Sequence, residues 1–326
     1  MPIVNVSKKS SFNEKNELFV ETFASGNNSI MELYTDRVTK YIFSGHDSFQ
    51  CRQFWLKKGY DFVSKGKSFN DDNAVVSLGV GKNMVASIRH WLKAFNITDG
   101  KDLLTEFGGS LLSDDGFDPF LEDDGSLWLL HYHLVKSNFA SIYSFIFNEF
   151  RREKIEFNRD TFVAFIKRKS EVIKGINFNP KTIADDFDVF RKLYLASSAD
   201  KVSEDGYSGL LAELGLVSKI ENRIDNKKEE FFAIENSAKQ KLPVEIFLYA
   251  ILENSNYGLS VSLNSLEQDF NSPGAVFAMN RSGLVEKIQE AQSRYDWIIY
   301  NDNAGIKELQ FKMKPEPLII LEDYYG

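Results

Sequence analysis

The stretch Asp71–Phe95, DDNAVVSLGVGKNMVASIRHWLKAF, decides the fold of this chain more than any other. A helix-turn-helix needs apolar residues that clamp two helices, a glycine where the turn takes a positive φ, and a second helix whose outer face can enter a major groove. With Gly79 as the turn glycine, Ala74, Leu78, Val80, Val85 and Ile88 take the clamp positions, and all five are apolar. The second helix then begins after Gly81 and turns Met84, Val85, Ile88, Trp91, Leu92 and Phe95 inward, the spacing of one helical face. Its other face presents Lys82, Asn83, Ala86, Arg89, His90 and Lys93. Lys and Arg suit phosphate or guanine, Asn suits adenine, and a small Ala lets the backbone approach. Val75 departs from the pattern where a small residue is usual, and so does Gly81 where a Ser or Thr cap is commoner. Units of this shape also serve as protein-protein modules, and a plain helical hairpin with a basic edge has the same spacing.

Charge around this stretch is segregated. The whole chain carries 39 Lys and Arg against 47 Asp and Glu, a net −8, which opposes indiscriminate coating of nucleic acid. From Cys51 to Lys93, however, eight basic side chains face three acidic ones, whereas Lys101 to Trp128 holds one Lys against eight carboxylates. A basic island followed by an acidic block is what a chain shows when one face meets an anion. The alternative is that the two blocks neutralise each other across an internal contact. In the first case Arg52, Lys57 and Lys58 meet phosphates while Lys82, Asn83, Arg89, His90 and Lys93 face the groove of double-stranded DNA.

The 326 residues suggest two or three domains at roughly 100–200 residues each. Residues 1–40 are polar and irregular and read as an arm. Residues 41–135 form the helix-turn-helix part, with an amphipathic helix over Gln50–Val63 that uses Phe54, Trp55, Tyr60 and Val63 as its apolar side and breaks near Gly59. A wing is expected from Leu103 to Gly108. Residues 136–222 read as a helical middle with helices over Ser141–Arg152, Arg159–Lys174 entered through Asn158, and Lys181–Tyr194 entered through Asn179-Pro180, followed by a hinge over Ala196–Ser208. In residues 223–326 the pattern is helix (Pro243–Leu252), helix (Leu263–Phe270), helix (Asn280–Tyr295), then a hairpin over Trp297–Tyr300 and Ile306–Phe311. That is a winged helix in outline. Its exposed Arg281, Glu286, Lys287, Glu290 and Arg294 are mixed in sign, which favours a structural or dimerising role. The fold class is thus mainly α (α+β), multi-domain, with winged helix-turn-helix modules in the N- and C-terminal parts.

Several chemistries find no support. The run Gly79-Val-Gly81-Lys82 lacks the earlier glycine and following Ser or Thr of a phosphate loop. His131 and His133 flank Tyr132 without a third ligand motif, and read as structural histidines. The acidic run from Asp118 to Gly125 has Phe120 where a calcium loop needs an oxygen. A single cysteine, Cys51, excludes an internal disulfide and reads as a buried or incidental thiol. His46-Asp47 lacks a nucleophile or metal set, so neither a catalytic residue, a metal nor a cofactor is expected. No apolar run approaches the roughly 20 residues that cross a bilayer, and the N-terminus has no secretory h-region, so a cytoplasmic protein without membrane partners is expected.

Several motifs carry a family resemblance: Gly45-His46-Asp47-Ser48-Phe49, Phe54-Trp-Leu-Lys-Lys-Gly-Tyr-Asp61, Leu78-Gly-Val-Gly-Lys-Asn-Met-Val85, Thr105-Glu-Phe-Gly108, and Asp118-Pro-Phe-Leu-Glu-Asp123 with Leu127-Trp-Leu-Leu-His-Tyr132. From about Tyr41 to Tyr325 the chain resembles the bacterial domain-of-unknown-function family numbered 4007. The resemblance implies no reaction. It implies a genomic setting of phage defence and DNA phosphorothioation, often beside sulfurtransferase-like enzymes, and so a non-catalytic DNA-binding or targeting subunit. The alternative is a scaffold that docks partner enzymes without touching DNA.

Overall fold

In the computed structural model, the structure describes residues 41–196, 209–224, 227–303 and 305–326. The expected arm (1–40) and all but the first residue of the expected hinge lie outside the described residues. The protein is mainly helical with two small antiparallel sheets.

Helix α1 (Gln53–Ser64) runs straight through Gly59 instead of breaking there. The glycine is a point of close approach: a Cβ at 59 would lie 2.7 Å from Leu92 and 2.8 Å from Ile88. Its buried face is Trp55, Leu56, Gly59, Tyr60 and Phe62, while Phe54, expected inside, is 62 % exposed. Helix α2 (Ala74–Leu78) ends at Gly79, whose φ of 62° is left-handed, and α3 (Lys82–Ala94) starts after Gly81 as the spacing predicts. Ala74, Leu78 and Val85 close on Phe62 in a small cluster with Val80 against it, and Ile88 joins the main core. Of the expected inward set, Val85, Ile88, Trp91, Leu92 and Phe95 are buried, and Met84 is half-buried.

The expected wing at 103–108 is absent. Leu104 makes a single bridge to Thr98, and Thr105 Oγ1 then accepts the Gly108 N–H to cap helix α4 (Glu106–Leu112). A hairpin needs two paired strands, but Gly108 is pressed onto the backbone of Ile97, where a Cβ would come within 2.4 Å of a carbonyl oxygen. Helix α5 (Asp124–Lys136), capped by Asp123, is buried from Gly125 to Val135 and forms the centre of the molecule. The acidic loop before it is a helix entry: Asp118 accepts the N–H groups of Glu122 and Asp123 and the Ser126 hydroxyl.

Helix α6 (Ser141–Phe145) passes through a π-helical turn (Ile146–Phe150) into α7 (Arg151–Glu153). Helix α8 (Arg159–Val172) begins in the capping box of Asn158 and Thr161, and α9 (Pro180–Tyr194) is capped by Asn179 with Pro180 in its first turn, both as expected. Strands β1 (Glu156–Phe157), β2 (Ser218–Ile224) and β3 (Lys227–Ala233) form a sheet of order β1-β3-β2. The β2–β3 hairpin joins residues on both sides of position 222.

The C-terminal part follows the predicted order: α10 (Val244–Leu252), β4 (Ser260–Ser262), α11 (Leu263–Gln268), the short α12 (Pro273–Val276), α13 (Arg281–Arg294) capped by Asn280, and the hairpin β5 (Ile298–Asn303) and β6 (Ile306–Phe311). Strand β4, not foreseen, completes a sheet of order β4-β6-β5. Lys287, expected outside, is buried and pairs with Glu290 at 2.9 Å. A last helix, α14 (Pro317–Tyr325), returns to the start of α5, where Tyr324 donates to Asp123 and Tyr325 meets Ser126. One apolar core runs from Cys51 to Leu321.

Candidate nucleic-acid interface

The face expected to meet DNA is built by α1, the α2–α3 turn and α3. The outer side of α1 contributes Phe54, Lys58 and Asp61 to a groove of about 330 Å³ that Lys65, Lys67, Ser77 and Phe120 also line. Lys58 and Lys65 are exposed and make no ion pair with a described residue, and Lys67 donates to Ser77 Oγ at 3.2 Å. Two phenyl rings stand open beside these ammonium groups, Phe54 at 62 % and Phe120 at 54 % exposure. At the start of α3, Lys82 and Asn83 are exposed, and the Gly81 cap offers no side chain to the first N–H groups.

The other expected contact residues sit differently. Lys57 points inward, buried, with Nζ at 2.7 Å from Asp61 and 2.6 Å from Asp114. Burial pulls its pKa down, but the hydrogen bonds and charges of the two carboxylates outweigh it and hold the ammonium above its ordinary value. Arg52 is half-buried over the Trp55 ring at 5.4 Å. Arg89 donates Nε to both oxygens of Asp102, at 2.9 and 3.1 Å, and Nη2 to Oδ2 at 2.6 Å, while Nη1 reaches Asn70 Oδ1 at 3.1 Å. Lys93 shares the same carboxylate at 2.9 Å. Burial raises the Asp102 pKa, but its bonds to Arg89 and Lys93 and their charges prevail and hold it below the usual carboxylate range. The basic island and the acidic block therefore pair with each other at three places, Lys57–Asp114, where the carboxylate is open to solvent, and the half-buried Arg89–Asp102 and Lys93–Asp102.

His90 does not face outward as expected. The segment 41–49 lies across that side of α3, and Gly45 abuts the His90 ring so closely that a Cβ would fall 2.2 Å from Nδ1. Burial, helped by the charges of His46 and Lys93, drives the His90 pKa down to about 3, so the ring is neutral. Its Nε2 has no hydrogen-bond partner. His46 does not work with Asp47: its Nε2 lies 2.9 Å from the buried Asp186 Oδ1, and its Nδ1 accepts the Ser48 N–H. A larger cleft of about 650 Å³ opens over His90, between α3 and the start of α9. It went unseen in the sequence because residues 41–43, 86–93, 139 and 177–182 converge only through folding.

His131 and His133 lie buried on α5 and are hydrogen-bonded to neighbouring elements. His131 bridges the Tyr194 hydroxyl at 2.6 Å and the Val276 carbonyl at 2.8 Å, and His133 meets the Tyr249 hydroxyl at 3.0 Å. The Cys51 thiol is buried, which raises its pKa well above the ordinary value. Among the described residues no group of three or more His, Cys, Asp and Glu side chains converges as metal ligands, and no helix is long and apolar enough to cross a membrane.

The family model described as "Protein of unknown function (DUF4007)" matches residues 43–325. The chain belongs to this family. Two solved structures share the DUF4007 chain's architecture. One, titled "Magnesium ion-bound SspB crystal structure", is 27 % identical with a TM-score of 0.76. The other, "SspB crystal structure", is 26 % identical with a TM-score of 0.74, and the match covers 88 % of each chain in both cases. No curated protein matches. The magnesium belongs to that neighbour's structure.

Proposed function

We propose that this protein is a DNA-binding or targeting subunit of a bacterial defence or DNA-modification system of the phosphorothioation type. In this reading residues 74–94 are a helix-turn-helix unit and residues 244–311 a winged-helix unit that serves structure or dimerisation. The observation that carries it is that Lys58 and Lys82, with Asn83, stay exposed and without an ion pair to a described residue, while Lys57, Arg89 and Lys93 are paired with carboxylates. In a protein of net −8, exposed lysines on the helix-turn-helix segment supply a local attraction for phosphate there. The family's setting among DNA-phosphorothioation genes, implied by the resemblance, supplies the system and its sulfurtransferase-like partners.

A second reading, a scaffold for partner enzymes, draws on the open rings of Phe54 and Phe120, since exposed apolar side chains in a groove also mark protein contacts. Titration of labelled duplex at several salt concentrations separates the two. Charge reversal of Lys58 and Lys82 together (K58E, K82E) should weaken duplex binding more than about tenfold and flatten the log–log salt slope by roughly two. Unchanged affinity and slope would remove DNA from the account, and nuclease-resistant co-purification of a partner would then favour the scaffold.

A further inference from the structure

The cleft over His90 has the composition of a site for a flat anionic ligand. Its walls carry four aromatic rings, Tyr41, Phe43, Phe139 and Phe178. Cations stand at one side, Arg89 and Lys93, both paired with Asp102, and no acidic residue lines the cleft itself. Asn177 and Asn179 bring amides that both donate and accept. At about 650 Å³ it falls in the range of small-molecule sites, roughly 300–1,000 Å³. His90 adds a separate sign of a missing partner: it is only 6 % exposed, lines the cleft, and leaves Nε2 without a hydrogen bond. A buried polar atom is normally satisfied by protein, water or ligand.

The cleft also connects to the lysine groove. Lys67 lines both that groove and a shallow depression shared with Asn70 and Ser77, and Asn70 is bonded to Arg89 at the cleft's edge. A polar path therefore runs from Lys58 and Lys65, past Lys67 and Asn70, to Arg89 and the aromatic walls, with Asp61, Asp71 and Asp72 also along it.

We infer that this cleft binds a single unstacked nucleotide, its base between the aromatic walls and its phosphate toward Arg89 and Lys93. Every base offers a π-face, so rings stack on it without regard to sequence, and single-stranded sites combine such platforms with a cationic path along the backbone. The nucleotide could belong to a strand laid along the lysines or be free in solution; the chemistry recognised is the same. The site goes beyond the duplex-binding reading and uses different side chains from those that test it.

The experiment is a titration of the full chain with fluorescein-labelled oligo(dT) of about ten residues and, separately, calorimetry with dTMP. Phe178 has no ring partner of its own among the described residues, so Phe178→Ala removes one wall, and Phe178→Tyr should restore it. Ala86, exposed on the cleft floor, gives a second variant, Ala86→Trp, which fills the space without deleting a native contact. Each of F178A and A86W should weaken oligo(dT) binding roughly five- to hundredfold, the span of one lost base stack, with thermal melting close to wild type in A86W and duplex affinity kept in F178A. Loss of dTMP binding in the same variants would identify a free nucleotide as sufficient. If wild type binds oligo(dT) and both variants bind it equally well, or if neither probe binds wild type while duplex does, the inference is overturned. If duplex binding fails but the nucleotide probes bind and respond to A86W, the cleft stands and the duplex reading falls.

Discussion

Asp102 is the residue on which the basic face turns, and Asp102→Asn tests it cleanly. Its φ is +66°, a left-handed conformation that Asn adopts as readily as Asp, so the substitution removes charge without adding backbone strain. What it removes is the anion that Arg89 grips through three donor–acceptor contacts of 2.6 to 3.1 Å and that Lys93 approaches at 2.9 Å. Exposed ion pairs contribute about 0.2–1 kcal/mol, and hydrogen bonds to charged groups about 1.5–3 kcal/mol. Here the Arg89 and Asp102 side chains are 34 % and 22 % exposed, and Asn keeps one acceptor oxygen. A loss of about 1 kcal/mol in urea unfolding is the reasoned figure. Because the folded-state pKa of Asp102 is depressed, its contribution is present above the unfolded value near 3.9 and is lost as pH falls through the lower folded value. The difference between variant and wild type should therefore shrink only in strong acid. Toward DNA the sign is opposite. Releasing two cations should tighten duplex binding and steepen the log–log salt slope by up to about 1.8 if both reach phosphates. A variant that loses the predicted stability yet keeps the wild-type affinity and slope would show that this side of α3 does not meet DNA.

Gly79→Ala isolates the turn. Nothing lies within 4 Å of the added Cβ, so its cost is the left-handed φ of 62° alone, about 1–2 kcal/mol in urea unfolding, and Gly79→Asn should recover much of it. Equal stability of G79A and wild type would mean the turn tolerates another conformation. Acid sensitivity should appear well above the carboxylate range. His90 and His131 are held near 3 by burial, and His133 is lowered in the same direction, whereas the unfolded chain protonates near 6.5. Their stabilisation is complete above that value and lost as pH falls toward 3, about 1 kcal/mol for each histidine between pH 7 and 5.5. Asp186, raised by burial, works in the opposite sense and offsets part of it. A urea midpoint that does not move between pH 7 and 5.5 would contradict the buried, neutral assignment of these rings.

The elements legible in the sequence were those with a local physical signature. Asn158, Asn179 and Asn280 each stood before an apolar-periodic run, and each caps the helix it announced. Gly79 marked a turn that needs positive φ, and the strand-like runs Trp297–Tyr300 and Ile306–Phe311 marked a hairpin. What failed lacked such a signature. Gly59 looked like a break because glycine favours breaks, but it is set by two side chains 29 and 33 positions away, Ile88 and Leu92. Phe54 looked apolar and therefore internal, yet the helix phase is fixed by Trp55, Leu56 and Tyr60, which leaves position 54 outside. His90 lay on the polar face by periodicity, and only the return of residues 41–49 across α3 buries it.

The charge pattern was the most informative feature and the most ambiguous, because block segregation fits either an external anion or an internal one. The structure divides the basic island between the two. Cations within reach of 102 and 114 are paired there: Lys57, Arg89 and Lys93. Lys58 and Lys82 are exposed and make no ion pair with a described carboxylate. An i-to-i+1 step separates Lys57 from Lys58, and about 100° of helical rotation turns one inward and its neighbour to solvent. Net charge by segment cannot see that rotation. Any electrostatic attraction for DNA must therefore be sought in the lysines the acidic block leaves over, and the response to freeing Arg89 and Lys93 measures how much of the island the protein holds in reserve.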